Sequence, residues 1–189
     1  MVVSSTPKTP VHPNGYGPKF IPDTVEAFEA YPQFGVQALA AQAPGYTATF
    51  RNLNATVNAN TYLGLTTIVS YDAPLCAECC NNKTLCTAFN LYVERDPSLN
   101  LSGNCTNLPS ITNYKCTLWG SSVDAASANN FGQNRDSFQV VIAGSDGFEK
   151  TNTTTPPFQP GPYNPAICAS YAEAQNAINN NSPFWLRWI

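Results

Sequence analysis

Charged residues and long apolar runs are scarce in this 189-residue chain. Asp, Glu, Lys and Arg together make up only 11% of it, and the formal net charge is −3. The nine Lys and Arg are scattered, so sequence neighbours cannot form the basic patch that nucleic acid requires. The longest apolar runs, 36–41 and 140–143, are far shorter than the roughly 18–20 residues of a membrane helix. We therefore expect neither a nucleic-acid partner nor a membrane span.

Histidine is almost absent, which removes the usual material for catalysis. Nucleophilic triads and most acid–base schemes use this side chain, and the single one, His12, lies among prolines. No glycine-rich phosphate loop is present, and we interpret the GSDG segment at 144–147 as a turn. Several carboxylates could still pair in space, but we interpret them as cap and turn residues: Glu78, Asp96, Asp124, Asp136, Asp146 and Glu149. The sequence thus predicts a non-enzyme without a cofactor.

Asn, Ser, Thr, Pro and Gly are abundant instead, a composition that suits an extracellular protein. The start, MVVSSTPKTPVHPNG, lacks the basic and apolar regions of a signal peptide, so we expect that a leader was removed or replaced by Met1. Six N-x-S/T sequons could accept glycans in a secretory lumen, although some would occur by chance in so polar a chain. They begin at Asn54, Asn82, Asn100, Asn104, Asn152 and Asn180.

The chain divides into four predicted segments. Closely spaced prolines make 1–23 an extended arm, 24–152 is the core domain, and TTTPPFQPGPYNP makes 153–165 a linker. Beyond it, YNPAICASYAEAQN echoes YDAPLCAECCNNKT at 71–84, so 166–189 is interpreted as a partial second repeat. Its apolar tail, PFWLRWI, is expected to pack on the core domain or on a second chain.

Within the core domain the pattern predicts one main helix on an antiparallel sheet, an α+β fold. A short helix over 24–30 would be capped by Asp23 or Thr24. Alternation from Tyr46 predicts a strand, and Asp72 with Pro74 predicts the start of a helix over 75–81. The remaining predicted strands are 61–70, as the hairpin partner of the first strand, then 86–95, 114–119 and 138–143.

Seven cysteines indicate a disulfide-stapled core. In a helix, Cys76, Cys79 and Cys80 fall within about 100° of one face, so all can point toward the sheet. Cys86 and Cys116 lie on predicted strands, where bridges would pin the helix. A redox dithiol at Cys76 and Cys79 or a zinc site are the alternatives, which the adjacent Cys80 and the lone histidine disfavour. We therefore expect no metal.

LCAECCNNKTLCTAFNLY followed by YKCTLW resembles the helix-to-strand core of PAN/apple domains. The shared pattern is C-x3-C on the helix, a cysteine before a small residue and an aromatic, and a cysteine in a late strand. It spans roughly 46–143 and is most similar to uncharacterised secreted proteins of filamentous fungi, through CTAFNLYVERDPS, KCTLWG and FQVVIAGSDGF. The resemblance implies the bonds Cys76–Cys116 and Cys80–Cys86. For the other cysteines, Cys105–Cys168 and Cys79–Cys105 remain equally open.

A candidate binding surface follows the late strand. Aromatic faces can stack on sugars or peptide side chains, while amides and Arg supply directional donors. Its predicted residues are Trp119, Asn130, Gln133, Arg135 and Tyr92. The alternative is that Trp119 is a core residue and that Arg135 bonds loop carbonyls.

These features together predict a secreted glycoprotein, located outside the cell or in the cell wall. The family resemblance implies adhesion and recognition, so we expect an extracellular glycan or protein as partner, at a cell surface or host interface. The alternative is a structural or self-assembling cell-wall protein without a small ligand, which associates through its C-terminal segment.

Overall fold

Antiparallel strands and short helices form an α+β fold, as predicted. A computed structural model describes residues 15–99, 108–135 and 137–151. The helices in these ranges are α1 (Val25–Glu29), α2 (Pro32–Ala40) and α3 (Ala73–Asn81). The strands are β1 (Tyr46–Leu53), β2 (Thr56–Val57), β3 (Tyr62–Ile68), β4 (Ala88–Pro97), β5 (Ser110–Trp119), β6 (Ala128–Asn130), β7 (Gln133–Arg135) and β8 (Phe138–Lys150). The predicted linker 153–165 and second repeat 166–189 lie outside the described residues.

The main sheet has the order β1-β8-β4-β5-β3, and β7 also pairs with β8. The predicted hairpin between the first two strands is therefore wrong, because β1 pairs with β8 whereas β3 pairs with β5. Between β1 and β3 in the chain, Ala55 and Val57 are buried, and β2 pairs with β6 in a separate two-stranded sheet. The chain thus leaves one edge of the main sheet and re-enters at the other.

The helices begin at the residues that cap them. The Thr24 hydroxyl accepts a hydrogen bond from Ala27 N, and the Asp72 carboxylate accepts one from Leu75 N at 2.9 Å. Asp72 was the predicted cap of α3 and Thr24 one of the two candidates for α1, and α3 begins two residues earlier than expected. The sequence analysis predicted no helix at α2. Pro32 begins this helix, where its missing N–H loses no helical hydrogen bond.

The helices pack on one face of the sheet. Alternate residues of β4, namely Phe89, Leu91 and Val93, are fully buried there, and Phe89 stacks on Phe148 with ring centroids 4.9 Å apart. We call this the helical face. The opposite face holds a smaller core beneath β2 and β6, which includes Ala88 and Trp119.

Two disulfides join α3 to its surroundings, as the resemblance implied. Cys76 is bonded to Cys116 on β5, with Cα atoms 5.8 Å apart, and Cys80 to Cys86, with Cα atoms 5.3 Å apart. Within the described ranges Cys79 has no disulfide partner, and it is partly buried. The two alternatives predicted for the other cysteines, Cys105–Cys168 and Cys79–Cys105, are not tested, because Cys105 and Cys168 lie outside the described residues.

The segment 144–147 is part of β8 and not a turn. Gly144 has φ +54°, and the register with β4 shifts between Leu91 and Val93 at this point. A Cβ at Gly144 would lie only 2.8 Å from Phe34 O, so the backbone of α2 approaches closely. Strand β8 continues through this register shift, and the side chain of Asp146 within it is completely buried.

Residues 15–23, the described part of the predicted arm, contact the sheet at β5. Gly17 N donates to Thr112 O at 3.0 Å, and the Thr112 hydroxyl donates to Pro18 O at 2.8 Å. A Cβ at Gly17 would lie within 2.4 Å of the Thr112 side chain, so the close approach depends on glycine. Residues 1–14 lie outside the described part of the chain.

Candidate functional site

Two of the predicted binding residues are buried. Trp119 is 5% exposed and packs in the small core, where its indole N–H donates to the Thr117 hydroxyl at 3.2 Å. Tyr92 is 4% exposed, and burial raises its pKa well above the usual value. Neither ring offers an open face for stacking, because both side chains occupy the interior of the opposite face.

The other three predicted residues lie together on an exposed segment. Asn130 ends β6, while Gln133 and Arg135 belong to β7, and all three are exposed. The Gln133 side-chain amide is oriented so that its oxygen faces a donor and its nitrogen does not. In this orientation the Gln133 oxygen accepts a hydrogen bond from Arg135 Nε at 2.8 Å. Phe131 lies between the strands and is 70% exposed. This β6–β7 segment (128–135) is therefore accessible to a ligand. The buried rings of Trp119 and Tyr92 are not part of that accessible surface.

A cavity that the sequence did not indicate opens where α1 meets the ends of β4 and β8. It has a volume of about 530 Å³. Its lining consists of Asp23, Thr24, Val25, Arg95, Leu108, Pro109, Ser137, Phe138 and Gln139. We call it the Arg95 cavity. Two of these residues, Asp23 and Arg95, form an ion pair although they are 72 positions apart in the chain. No local sequence pattern could therefore predict this cavity.

Arg95 is fixed in its place by three contacts. Nη1 donates to Gln139 O at 3.0 Å, Nη2 donates to the Asp23 carboxylate at 2.9 Å, and the guanidinium carbon lies 4.4 Å from the centre of the Phe138 ring. The residue is only 6% exposed, yet its Nε–H has no partner in the described part of the chain. A buried N–H without an acceptor costs roughly 1–3 kcal/mol, so the other contacts of Arg95 must offset this cost.

Asp23 supplies the matching acceptor. Burial would raise its pKa, but hydrogen bonds from Ser110 and from Arg95 outweigh that effect and lower it. The Ser110 backbone N–H donates to one carboxylate oxygen at 2.7 Å and the hydroxyl to the other at 2.5 Å. The ionised carboxylate balances the charge of Arg95, and the pair therefore suits a polar ligand without net charge.

A second polar cluster lies on the opposite face, between β4 and β5. Lys115 Nζ is 2.6 Å from Glu94 Oε1 and 2.6 Å from Asp96 Oδ2, and the Asn113 amide donates to Asp96 at 2.8 Å. Burial and the nearby Asp96 raise the pKa of Glu94 to about 7, whereas hydrogen bonds and Lys115 hold that of Asp96 below its usual value despite burial. Asp96 was among the carboxylates predicted as cap or turn residues; it is instead a strand residue in a buried ion pair.

Asp146, also predicted as a turn residue, is completely buried inside β8. Its Oδ1 accepts from Asn52 N at 2.8 Å, and its Oδ2 lies 3.6 Å from Arg51 Nη1. Burial raises its pKa to about 6 against the opposing effects of these neighbours. Arg51 also donates to Ala38 O and Ala41 O at the end of α2. We interpret this pair as a structural link between α2, β1 and β8.

Among the remaining predicted carboxylates, Glu78 lies within α3 and Glu149 within β8, so neither is the cap or turn residue that was predicted. Asp124 accepts from Ser127 N at 2.7 Å, which is the predicted turn role. Glu149 accepts from Val123 N at 2.8 Å. Asp136 is outside the described residues. Among the residues that are described, no three His, Cys, Asp or Glu side chains are placed to hold a metal ion.

Two of the six sequons can be placed. Asn54 follows β1 and Asn82 caps the C-terminal end of α3, and both are exposed. The other four, which begin at Asn100, Asn104, Asn152 and Asn180, are outside the described ranges.

Comparison with known proteins gives no family: no family model, no curated protein and no solved structure matches the chain. In the three described ranges, none of the helices is long and apolar enough to cross a membrane.

Proposed function

We propose that the chain is a secreted binding module that recognises an extracellular glycan or protein, and that the Arg95 cavity is its binding site. The observation that carries this proposal is the Arg95–Asp23 pair, fixed in the wall of a cavity of about 530 Å³. Ligand sites of roughly 300–1,000 Å³ with a few fixed polar groups are typical of small-molecule recognition. The resemblance to PAN/apple domains supports a role in adhesion or recognition.

The chemistry of the lining favours a carbohydrate. A sugar hydroxyl can accept a hydrogen bond and donate another, and the cavity offers a fixed donor in Arg95 and a fixed acceptor in Asp23. Val25 and Leu108 add apolar surface for the C–H groups of a sugar ring. A protein ligand would use the same groups through a backbone carbonyl and an amide N–H.

Binding fits this geometry better than catalysis. The lowered pKa of Asp23 makes it a weak proton acceptor, and its oxygens already accept from Arg95 and Ser110. The pair can orient a ligand without transferring a proton.

A glycan and cell-wall polysaccharide screen on the intact, oxidised protein tests the proposal. Arg95→Lys keeps the positive charge but removes the planar guanidinium and its fixed N–H donors, so affinity should fall roughly 10-fold or more. The matched control is Arg135→Lys on the exposed β6–β7 segment, which should bind as the wild type does. Asp23→Asn, which preserves the side-chain shape, should also weaken binding. Folding of each variant is checked by its melting temperature.

Two results would contradict this assignment. If Arg95→Lys folds normally and binds a ligand as tightly as the wild type does, the cavity is not the site. If only Arg135→Lys loses affinity, the β6–β7 segment is the site.

A structural, self-associating protein is the second candidate, and β3 favours it. This strand forms an edge of the main sheet, and its Tyr62 and Leu65 are 57% and 45% exposed. An edge strand that presents apolar side chains can pair with a neighbouring chain. Static light scattering of the protein at several concentrations distinguishes an assembling protein from a monomer.

A further inference from the structure

A second cavity adjoins the sequon that begins at Asn54. Its volume is about 420 Å³, and it lies between the α1–α2 connection, the end of β1 and the irregular part of β8. The lining side chains of interest are Glu29, Tyr31, Pro32, Asn52 and Asn54. A glycosylation acceptor thus forms part of the wall of a preformed cavity.

The local structure fixes Asn54 at this place. Asn54 itself is exposed, but the next two residues of the sequon, Ala55 and Thr56, are only 2% and 3% exposed. Thr56 belongs to β2, so the backbone on both sides of the asparagine is anchored in a strand. No hydrogen bond to another described residue occupies the Asn54 side-chain amide.

The sequon that begins at Asn82 provides a contrast within the same chain. Asn82, Lys83 and Thr84 are all exposed at the end of α3, and none of them lines either cavity described above. Within the described part of the chain, a glycan at Asn82 would therefore start from an exposed helix end, outside both of these cavities.

We propose that Asn54 carries an N-linked glycan whose first N-acetylglucosamine occupies the adjacent cavity. Tyr31 and Pro32 offer apolar surface to the C–H face and the acetyl methyl group. The Glu29 carboxylate can accept from a hydroxyl or the acetamido N–H, and the Asn52 amide can donate to the acetamido oxygen. The cavity therefore holds the sugar that is covalently linked to its own wall.

This inference rests on the secreted character of the proposed function. Glycan occupancy at Asn82 tests secretion independently of the sugar proposed at Asn54. The protein is produced in a eukaryotic secretory host, and the occupied asparagines are identified by peptide mass spectrometry. Glycan at both Asn54 and Asn82 is the expected result. Glycan at neither would count against secretion as well as against this inference, whereas glycan at Asn82 alone would overturn this inference only.

Seating of the sugar is then measured on the native protein. An endoglycosidase first trims every glycan to a single N-acetylglucosamine, and an amidase that cleaves this stub from asparagine is then added. If the cavity protects the linkage, release at Asn54 requires local opening and should be roughly 10-fold slower than at Asn82. In denatured protein the two rates should be equal. Equal rates in the native protein would overturn the inference.

Three variants give an independent measurement. Asn54→Gln should lower the melting temperature of the trimmed protein, because the cavity loses its sugar, whereas Asn82→Gln should not change it. Glu29→Ala alters an exposed cavity residue and should accelerate release at Asn54 without affecting release at Asn82. If Asn54→Gln and Asn82→Gln have the same effect on the melting temperature, the sugar is not seated.

Discussion

Lys115 Nζ lies 2.6 Å from Glu94 Oε1, across neighbouring strands on the opposite face of the sheet. In the register of β4 and β5, Glu94 is opposite Asn113, so Lys115 reaches it diagonally. The same ammonium group lies 2.6 Å from Asp96. One positive charge cannot fully stabilise two buried carboxylates, and Glu94 therefore retains its proton to near neutral pH.

Stability should accordingly fall as the pH rises from about 4 to 7. The pKa of Glu94 in the folded protein is about 7 against an ordinary 4.5, and that of Asp146 is about 6 against 3.8. In this window the folded state binds more protons than the unfolded state, so each group lowers the free energy of unfolding by up to about 1.4 kcal/mol per pH unit. The lowered pKa values of Asp96 and Asp23 act in the opposite sense, but at lower pH.

Melting temperatures measured across this range test the prediction. The wild type should melt at a higher temperature at pH 4.5 than at pH 7, and Glu94→Gln should flatten the profile because it removes one titrating group. A melting temperature that rises between these pH values would contradict the assignment of a retained proton.

The two disulfides should contribute unequally to stability. Cys76–Cys116 spans 40 residues and Cys80–Cys86 spans six. The loop-entropy relation gives about 4 kcal/mol for the longer loop and about 2 kcal/mol for the shorter one. Urea unfolding of the Cys76→Ala/Cys116→Ala and Cys80→Ala/Cys86→Ala variants compares them. If Cys80→Ala/Cys86→Ala is the less stable variant, loop-closure entropy is not the main contribution of these disulfides to stability.

Much of α3 and its bonds was predictable because the signals are local. The cap at Asp72, the proline beside it and the cysteine spacing lie within one short stretch, and the resemblance supplied the pairing with Cys116. The pairing of β1 with β8 has no such signal, because the strands are far apart in sequence and no composition distinguishes one edge of a sheet from the other.

The candidate site was missed for the same reason. Asp23 and Arg95 are brought together only by tertiary structure, and the sequence analysis considered Asp23 only as one of two candidates for a helix cap. One signal was present: the strand sequence VERDP places three charged residues next to an apolar run. Charged residues are almost never fully buried without a partner, so this strand already indicated that ion pairs would form around it.

Gly144 should tolerate substitution far less well than Gly45. Both have positive φ, at +54° and +78°, so alanine would be strained at either position, at a cost of about 1–3 kcal/mol. A Cβ at Gly144 would also meet Phe34 O at 2.8 Å, whereas nothing lies within 4 Å at Gly45. Gly144→Ala should therefore lower the free energy of unfolding more than Gly45→Ala does. Equal losses in urea unfolding would show that α2 moves away without cost.

The edge strand β3 separates the two candidate functions. Leu65 lies in the middle of that strand and is 45% exposed, so a charge placed there would remain in solvent in a monomer but would oppose pairing with a second chain. Leu65→Lys should leave the molecular mass unchanged if the protein is a monomeric binding module, and should reduce it if the wild type assembles through this edge. Val36→Lys is the matched control, because Val36 is 56% exposed on α2, away from the edge. A wild type that assembles, with both lysine variants retaining its mass in light scattering, would show that association uses another surface.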